Sequence, residues 1–577
     1  MKKKMLCVSA GVLLLSGNAY SAMLSTNNAK HELDQLERRQ NQLTIEEEKA
    51  REKEIITQKE SGVDTSFSEL GKPGAGYQFM IKEINVNGDD IYDDSPARQK
   101  IIDRYLNTKM GQYEIMTLVK ELSDFYIGKG YSTTLVTIQP GNLREGVLNL
   151  KVLWGKVAGF SVEGKKPTFR ESSRLFSAMP FAEGKPLNLQ DIDQGLDNLL
   201  RVSRNDKLSI VPDEKMGYST INLQGADVQP FSGGIATNNS GSESEGWGQY
   251  SASLNVNNPL GLNDVLGFYY SFNDLKTNPD NQDSWSVNYS LPLGYWTWDL
   301  MFYKSGYAKT IGGYYGGYHS EGDSSRASLK LSRLLHRDAL GKTSAYVKLE
   351  TRDSANLIEG DIIDVSSKRY SSITAGLNRV GALWGGWVYG DLNITTGTPW
   401  FNAAWKDDAD LEGFDLNYVK YNGMVNWSRD LYRNDYVGIS YDMSSGFQYT
   451  PDVTVSDAKF SVGDEFTVRG YKDSFMSVHS GAYLSNNINF PVYVNKFGIN
   501  QITPFIGYDL GVVKDNCPSG VDACHTQYMT GAAVGIKASG RYFNTSLTMS
   551  WPLAEPATLR DQNIAESAIY YSVGLNF

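Results

Sequence analysis

From residue 229 to the C-terminus the chain consists of short segments in which apolar and polar residues alternate, separated by clusters of Gly, Asn, Asp and Ser. This period of two constrains the fold more than any other feature, because it places successive side chains on opposite faces of a strand. Tyr250, Ala252, Leu254 and Val256 form one such set. Leu266, Phe268, Tyr270 and Phe272 form the next, and Val437, Ile439, Tyr441 and Met443 alternate with Gly438, Ser440 and Asp442. Residues 229–577 hold about sixteen segments, at roughly 22 residues per strand with its share of loop, while a tilted strand crosses a bilayer in about 9–11 residues. The pattern predicts an antiparallel transmembrane β-barrel of 16 strands. A soluble β-sandwich accounts neither for the aromatics at alternating positions nor for the last segment. There Ile569, Tyr571, Val573, Leu575 and Phe577 alternate up to a terminal aromatic.

A helical membrane protein is excluded. Mean hydropathy is −0.38, and no stretch beyond the first 22 residues approaches the ~18 apolar residues a membrane helix needs. Residues 1–22 read as a secretory signal peptide: Lys2, Lys3 and Lys4, a short apolar core from Leu6 to Leu15, then small residues ending at Ala22. In an exported chain Cys517 and Cys524, close together among Pro, Gly and Asp, read as a disulfide closing a short loop. Metal binding is the weaker reading, since His525 is the other nearby ligand candidate. The net charge of −11 and pI of about 5.2 argue against nucleic-acid binding, which needs concentrated Lys and Arg.

Residues 23–60 carry a charged segment without Pro or Gly, rich in helix formers and in Glu–Lys or Glu–Arg pairs at helical spacing. A helix so polar on all sides is not a core element. It is either a solvated arm or an occupant of a water-filled space. Residues 61–76 read as a flexible linker. Residues 77–155 and 156–228 then follow one plan, strand–helix–helix–strand–strand, twice. In the first unit a helix around 95–107 precedes one at 113–129, whose Ile115, Leu118, Val119, Leu122, Phe125 and Tyr126 share a face. Small α+β units with open sheet edges are suited to binding an extended chain by strand addition.

In this order, signal, charged helix, linker, two α+β units and barrel, the chain resembles the TpsB family, the outer-membrane transporters of two-partner secretion. The α+β units look like POTRA domains. Two motifs carry the resemblance further. Val468-Arg469-Gly470-Tyr471, preceded by Gly463-Asp464-Glu465, is similar to the family's motif in the long sixth extracellular loop. Phe505 to Gly511, with Gly507 and Asp509, is similar to its barrel-wall strand motif. Tyr571, Val573, Leu575 and Phe577 resemble the C-terminal signature of outer-membrane barrels. The haemolysin, filamentous-haemagglutinin and contact-dependent-inhibition exporters are the branches most resembled.

The resemblance implies a bacterial outer-membrane pore with its N-terminal domains in the periplasm. Its partners would be an unfolded exoprotein captured by the POTRA-like domains, outer-membrane lipid, periplasmic chaperones and the barrel-assembly machinery. No cofactor, metal, nucleic acid or catalysis is expected. Arg469 offers a planar fork of donors and Asp509 a carboxylate on an inward wall position, so the two are expected to pair and hold the loop in the pore. The charged helix is expected to plug the lumen until cargo displaces it. A barrel-assembly insertase of the same superfamily is the alternative, with a barrel enzyme ranked below it. For the enzyme, the five His are scattered, and neither an HExxH pair nor a G-x-S-x-G elbow occurs. Leu340-Gly341-Lys342-Thr343-Ser344 fails as a phosphate loop, since position 336 is His where the motif needs Gly.

Overall fold

The computed structural model describes residues 30–31, 34–56, 76–225, 228–241, 246–273, 281–313, 316–472, 474–496, 498–516, 524–560 and 564–577. The signal segment 1–22, nearly all of the linker 61–76 and Cys517 lie outside them. Cys524 is disulfide-bonded. Among the described residues no helix is long and apolar enough to cross a membrane.

The barrel closes. Sixteen strands run antiparallel around it, from Phe231–Asn238 to Ala568–Asn576, which pair with each other with Val573 opposite Thr237 and Leu575 opposite Ile235. Two departures from simple hairpins leave the count unchanged. Asp361–Ile362 is a short return at the end of Gly341–Ile358. Ser480–Asn489 and Val492–Lys496 are one strand, both pairing with Ile499–Lys514, interrupted at Pro491, which has no N–H to give to a ladder.

The alternation sorts side chains by face. Along Ile499–Lys514, Ile506, Tyr508 and Leu510 are exposed on the outside, whereas Phe505, Asp509 and Val513 are buried inside. Leu254, Phe268, Tyr270, Trp298, Leu300, Phe302, Leu392 and Ile394 are likewise exposed, forming an apolar outer surface of the kind lipid requires.

The first POTRA-like domain is more elaborate than its sequence pattern. The expected opening strand is two pieces, Phe79–Ile81 and Glu83–Asn87, and the helix expected around 95–107 stops at Asp103. Asn107 adopts a left-handed φ of 58°, and the chain turns into a further strand, Thr108–Met110, which pairs with Phe79–Ile81. Glu83–Asn87 lies parallel to Val147–Leu153, which is antiparallel to Leu135–Gln139. The helix Gln112–Gly128 lays Ile115, Leu118, Val119, Leu122 and Tyr126 on this sheet. Asp89 is the polar centre of the domain. It accepts from Arg98 Nη1 at 2.8 Å, Tyr126 Oη at 2.6 Å and the Tyr92 amide at 2.9 Å. Burial first, then the Asp89 carboxylate, pushes the Tyr126 phenol above its ordinary range.

In the second domain, Lys156–Val162 is parallel to Tyr218–Gln224, which is antiparallel to Lys207–Pro212. Its helices, Phe169–Ala178 and Leu189–Leu200, pack against one end of the barrel. Thr168 and Glu171 form a capping box on the first, and Asn188 caps the second. Two tight barrel turns seat them. Asn263, in the turn 258–264, donates to the Arg174 carbonyl at 2.7 Å and accepts from Arg174 Nε at 3.0 Å. The Gly294 amide donates to the Ser177 carbonyl at 2.8 Å, and Asn198 Nδ2 reaches the Gly294 carbonyl at 2.8 Å.

Candidate functional site

The site is the inside of the barrel. A long loop, residues 450–479, leaves the end of the barrel far from the POTRA-like domains and folds back within it. Its stem is the small hairpin Phe460–Val462 with Met476–Val478. At its tip Asp464 accepts from the amides of Phe466 and Thr467 at 2.9 and 2.8 Å, tightening the turn that presents the next residues.

Arg469 meets the wall there. Its Nε lies 2.6 Å from Asp509 Oδ2 and its Nη2 2.7 Å from Asp509 Oδ1, a two-pronged pair, and its own amide donates to Oδ2 at 3.0 Å. Ser485 Oγ donates to Asp509 at 2.8 Å, and Asn487 Oδ1 accepts from Arg469 Nη1 at 2.8 Å. Both charges are almost fully buried. Removing one partner of such a pair typically costs about 3–5 kcal/mol, because the other is left buried and unmatched.

The loop can approach this closely because the wall is bare. A Cβ on Gly507 would lie 2.3 Å from Arg469 Nη2, one on Gly531 2.0 Å from the Arg469 carbonyl oxygen, and one on Gly511 2.9 Å from the Val468 side chain. Gly470 has φ +103° and passes against the Trp551–Pro552 backbone. Val468 and Tyr471 are buried with Met476, Val513 and Met529. The Tyr471 hydroxyl lies 2.6 Å from the Ala554 carbonyl and 3.0 Å from that of Thr530.

Beside the loop, helix 34–56 runs lengthwise through the lumen. Its 23 residues span about 34 Å at 1.5 Å per residue. At the far end Arg38 pairs with Asp464 and donates to the Ser461 carbonyl at 2.5 Å, and Arg39 pairs with Glu465 at 2.5 Å. His31 stacks on Phe475 with centroids 3.8 Å apart. Along the strand Gly316–Arg337, Arg326 pairs with Glu37, and Arg337 Nη1 donates to both oxygens of Glu52 at 2.9 Å. At the domain end Ile55 packs on Leu196 and Leu200 of the second POTRA-like domain. Leu36, Ile45 and Ile55 are buried, whereas Leu43 faces open lumen with 57% of its surface exposed.

Asp197 lies where helix, barrel and domain meet. Lys342 Nζ approaches its Oδ2 at 2.6 Å, Arg337 Nη2 at 3.0 Å, and Arg51 Nε lies 3.4 Å from Oδ1. Burial opposes its charge, but Lys342, Arg337 and Arg51 outweigh burial and hold the carboxyl well below the ordinary carboxylate range.

Known proteins match this arrangement. The family described as haemolysin secretion/activation protein ShlB/FhaC/HecB matches residues 217–538, which is more than half of the chain. The chain belongs to this family. Its members are outer-membrane transporters of two-partner secretion in the TpsB/Omp85 superfamily. A ShlB-type POTRA domain matches residues 79–155 and a second POTRA domain residues 156–212. The outer membrane transporter CdiB of Dickeya dadantii is 26% identical over 578 residues, covering 100% of this chain and 99% of the relative. The hemolysin transporter protein ShlB of Serratia marcescens is 27% identical over 479 residues, covering 81% of each. Among solved structures, CdiB from Escherichia coli superposes with a TM-score of 0.84 at 24% identity, covering 95% of this chain and 99% of that one. CdiB from Acinetobacter baumannii gives 0.75 at 20%, covering 96% and 99%. At those identities the structures share the fold. This TpsB member is thus a barrel in the outer membrane with POTRA domains in the periplasm, and the loop 450–479 is extracellular.

Arg469 and Asp509, and around them Val468, Gly470, Tyr471 and Gly507, come together at one point in the lumen. Tyr571, Val573, Leu575 and Phe577 lie elsewhere, on the closing strand and at its end, with exposed side chains that face lipid rather than the pore. The sequence reading did not assign the contacts of three groups. Asp464 and Glu465 stand beside the loop motif as partners for Arg38 and Arg39, and that charge complementarity was legible. Gly511 and Gly531, and the Asp197 cluster, depend on strand register and domain docking, which no local pattern encodes.

Proposed function

We propose that this transporter recognises one large partner exoprotein, an adhesin, haemolysin or contact-dependent inhibition toxin, and passes it unfolded through the barrel to the cell surface. The contact-dependent inhibition class is favoured by the CdiB relatives that span nearly the whole chain. The observation that carries the reading is the seating of helix 34–56. The helix occupies the lumen yet is held largely by ion pairs and hydrogen bonds, which water can replace as it leaves.

Cargo kept extended by periplasmic chaperones binds the POTRA edges, displaces the helix and threads outward. Folding outside withdraws chain from the pore and makes return unfavourable, so no nucleotide is consumed and no catalytic step is involved. The barrel itself depends on outer-membrane lipid and on the barrel-assembly machinery for insertion.

Co-expression with the large open reading frame beside its gene tests the reading. The partner should appear at the cell surface or in the medium only when the transporter is present. Retention of the partner in the periplasm would defeat it, and a loss of other barrel proteins from the outer membrane in the transporter's absence would favour the insertase.

A further inference from the structure

Among the described residues, Asp197 is the one residue of the second POTRA domain that makes ion pairs with helix and barrel cations together. Its four neighbours come from two other bodies: Arg51 and Glu52 from the helix, Arg337 and Lys342 from the barrel. With everything seated, three cations face two carboxylates. Arg201, on the same side of that domain, donates to Ser290 of the barrel and stands within electrostatic reach of Arg51 and Asp197.

The two ways of dismantling this cluster are unequal. Withdrawing the POTRA domain removes Asp197, which takes from Arg51 its direct ion-pair partner in the cluster and leaves Arg337 and Lys342 with Glu52. It also strips Leu196 and Leu200 from Ile55. Arg51 then keeps Glu47 and Glu48, which leave with it on the same helix, and its tie through Asp197 to the rest of the protein is gone. Withdrawing the helix removes Arg51 and Glu52 together, one charge of each sign. Asp197 keeps both direct barrel partners, Arg337 and Lys342, and the domain remains docked through Asn263, Gly294 and their partners.

We infer that Asp197 is a positioning residue that sets the order of opening: the second POTRA domain must shift before the helix is released, and helix exit does not undock the domain. This rests on the reading that the helix gates the pore.

The test uses the full-length transporter in planar bilayers, with helix exit read as labelling of Ile45→Cys by a bulky maleimide. Asp197→Asn should raise open-channel time and labelling about fivefold, equivalent to about 1 kcal/mol, while the barrel keeps its resistance to detergent unfolding. Asp191→Cys with Tyr295→Cys, joined by a cleavable bis-maleimide, pins the domain to the barrel at a contact outside the cluster. Pinned channels should stay shut and regain opening on cleavage. This arm stands if the Asn variant fails to assemble. Opening of the pinned channel at the cleaved rate, or wild-type behaviour of Asp197→Asn, overturns the inference. If deleting residues 30–56 leaves conductance flat, the gating reading itself fails; if deletion opens the pore but Asp197→Asn is silent, only the order of opening is wrong.

Discussion

Arg469 binds Asp509 with three donors, Nε at 2.6 Å, Nη2 at 2.7 Å and its own backbone amide at 3.0 Å. The carboxylate therefore fixes the loop's backbone as well as its side chain. A lysine at 469 could supply the charge and the amide but not the fork.

Asp509→Ala leaves a buried guanidinium without its partner, worth about 3–5 kcal/mol. The expected outcome is a loosened extracellular loop: external protease cleaves within 450–479, and secretion of the partner falls by at least about tenfold, the equivalent of 1.4 kcal/mol. Undiminished secretion with unchanged conductance would remove the anchor from the mechanism.

Gly531→Ala isolates geometry from charge. The added methyl would sit 2.0 Å from the Arg469 carbonyl oxygen, so the loop must retreat from the wall. Crowding of this kind costs about 1–3 kcal/mol. Protease access to the loop should increase although every charged group is retained. Gly390→Ala is the matched control, because its nearest neighbour would be 4.0 Å away.

Deletion of residues 30–56 empties the lumen of its helix. Basal conductance in planar bilayers should rise severalfold and become steady. A flat trace would mean that the loop alone closes the pore.

Tyr126→Phe removes the hydroxyl that donates to Asp89 at 2.6 Å inside the first POTRA domain. Asp89 keeps Arg98 and the Tyr92 amide, so the loss is limited to about 1–3 kcal/mol. The periplasmic unfolding transition of the full chain should move down in temperature while the barrel transition stays in place. Coincident shifts of both would show that the two parts unfold together.

Much of this architecture is legible in the residues because two periods do most of the specifying. Period two separates Ile506, Tyr508 and Leu510 from Phe505, Asp509 and Val513 without any knowledge of the partner strand. The helical period does the same for Ile115, Leu118 and Leu122. Thr108–Met110 was missed because three residues are too few to show a period, and Asn107 ends the helix through backbone conformation. Arg469 and Asp509 could be paired because each sits in a recognisable motif. Gly531 could not be placed beside them, since its role arises from standing opposite Asp509 in the neighbouring strand. Asp197 was equally hidden: in sequence it is an ordinary acid on an amphipathic helix, and it acquires its neighbours by docking.

The resident helix is also a gauge. An α-helix with its side chains measures about 10–12 Å across, and this barrel admits one lengthwise beside the folded loop, with Leu43 still facing water. A fully stretched chain is slimmer than that. On the proposed route, the space this occupant vacates is already wide enough for such a chain.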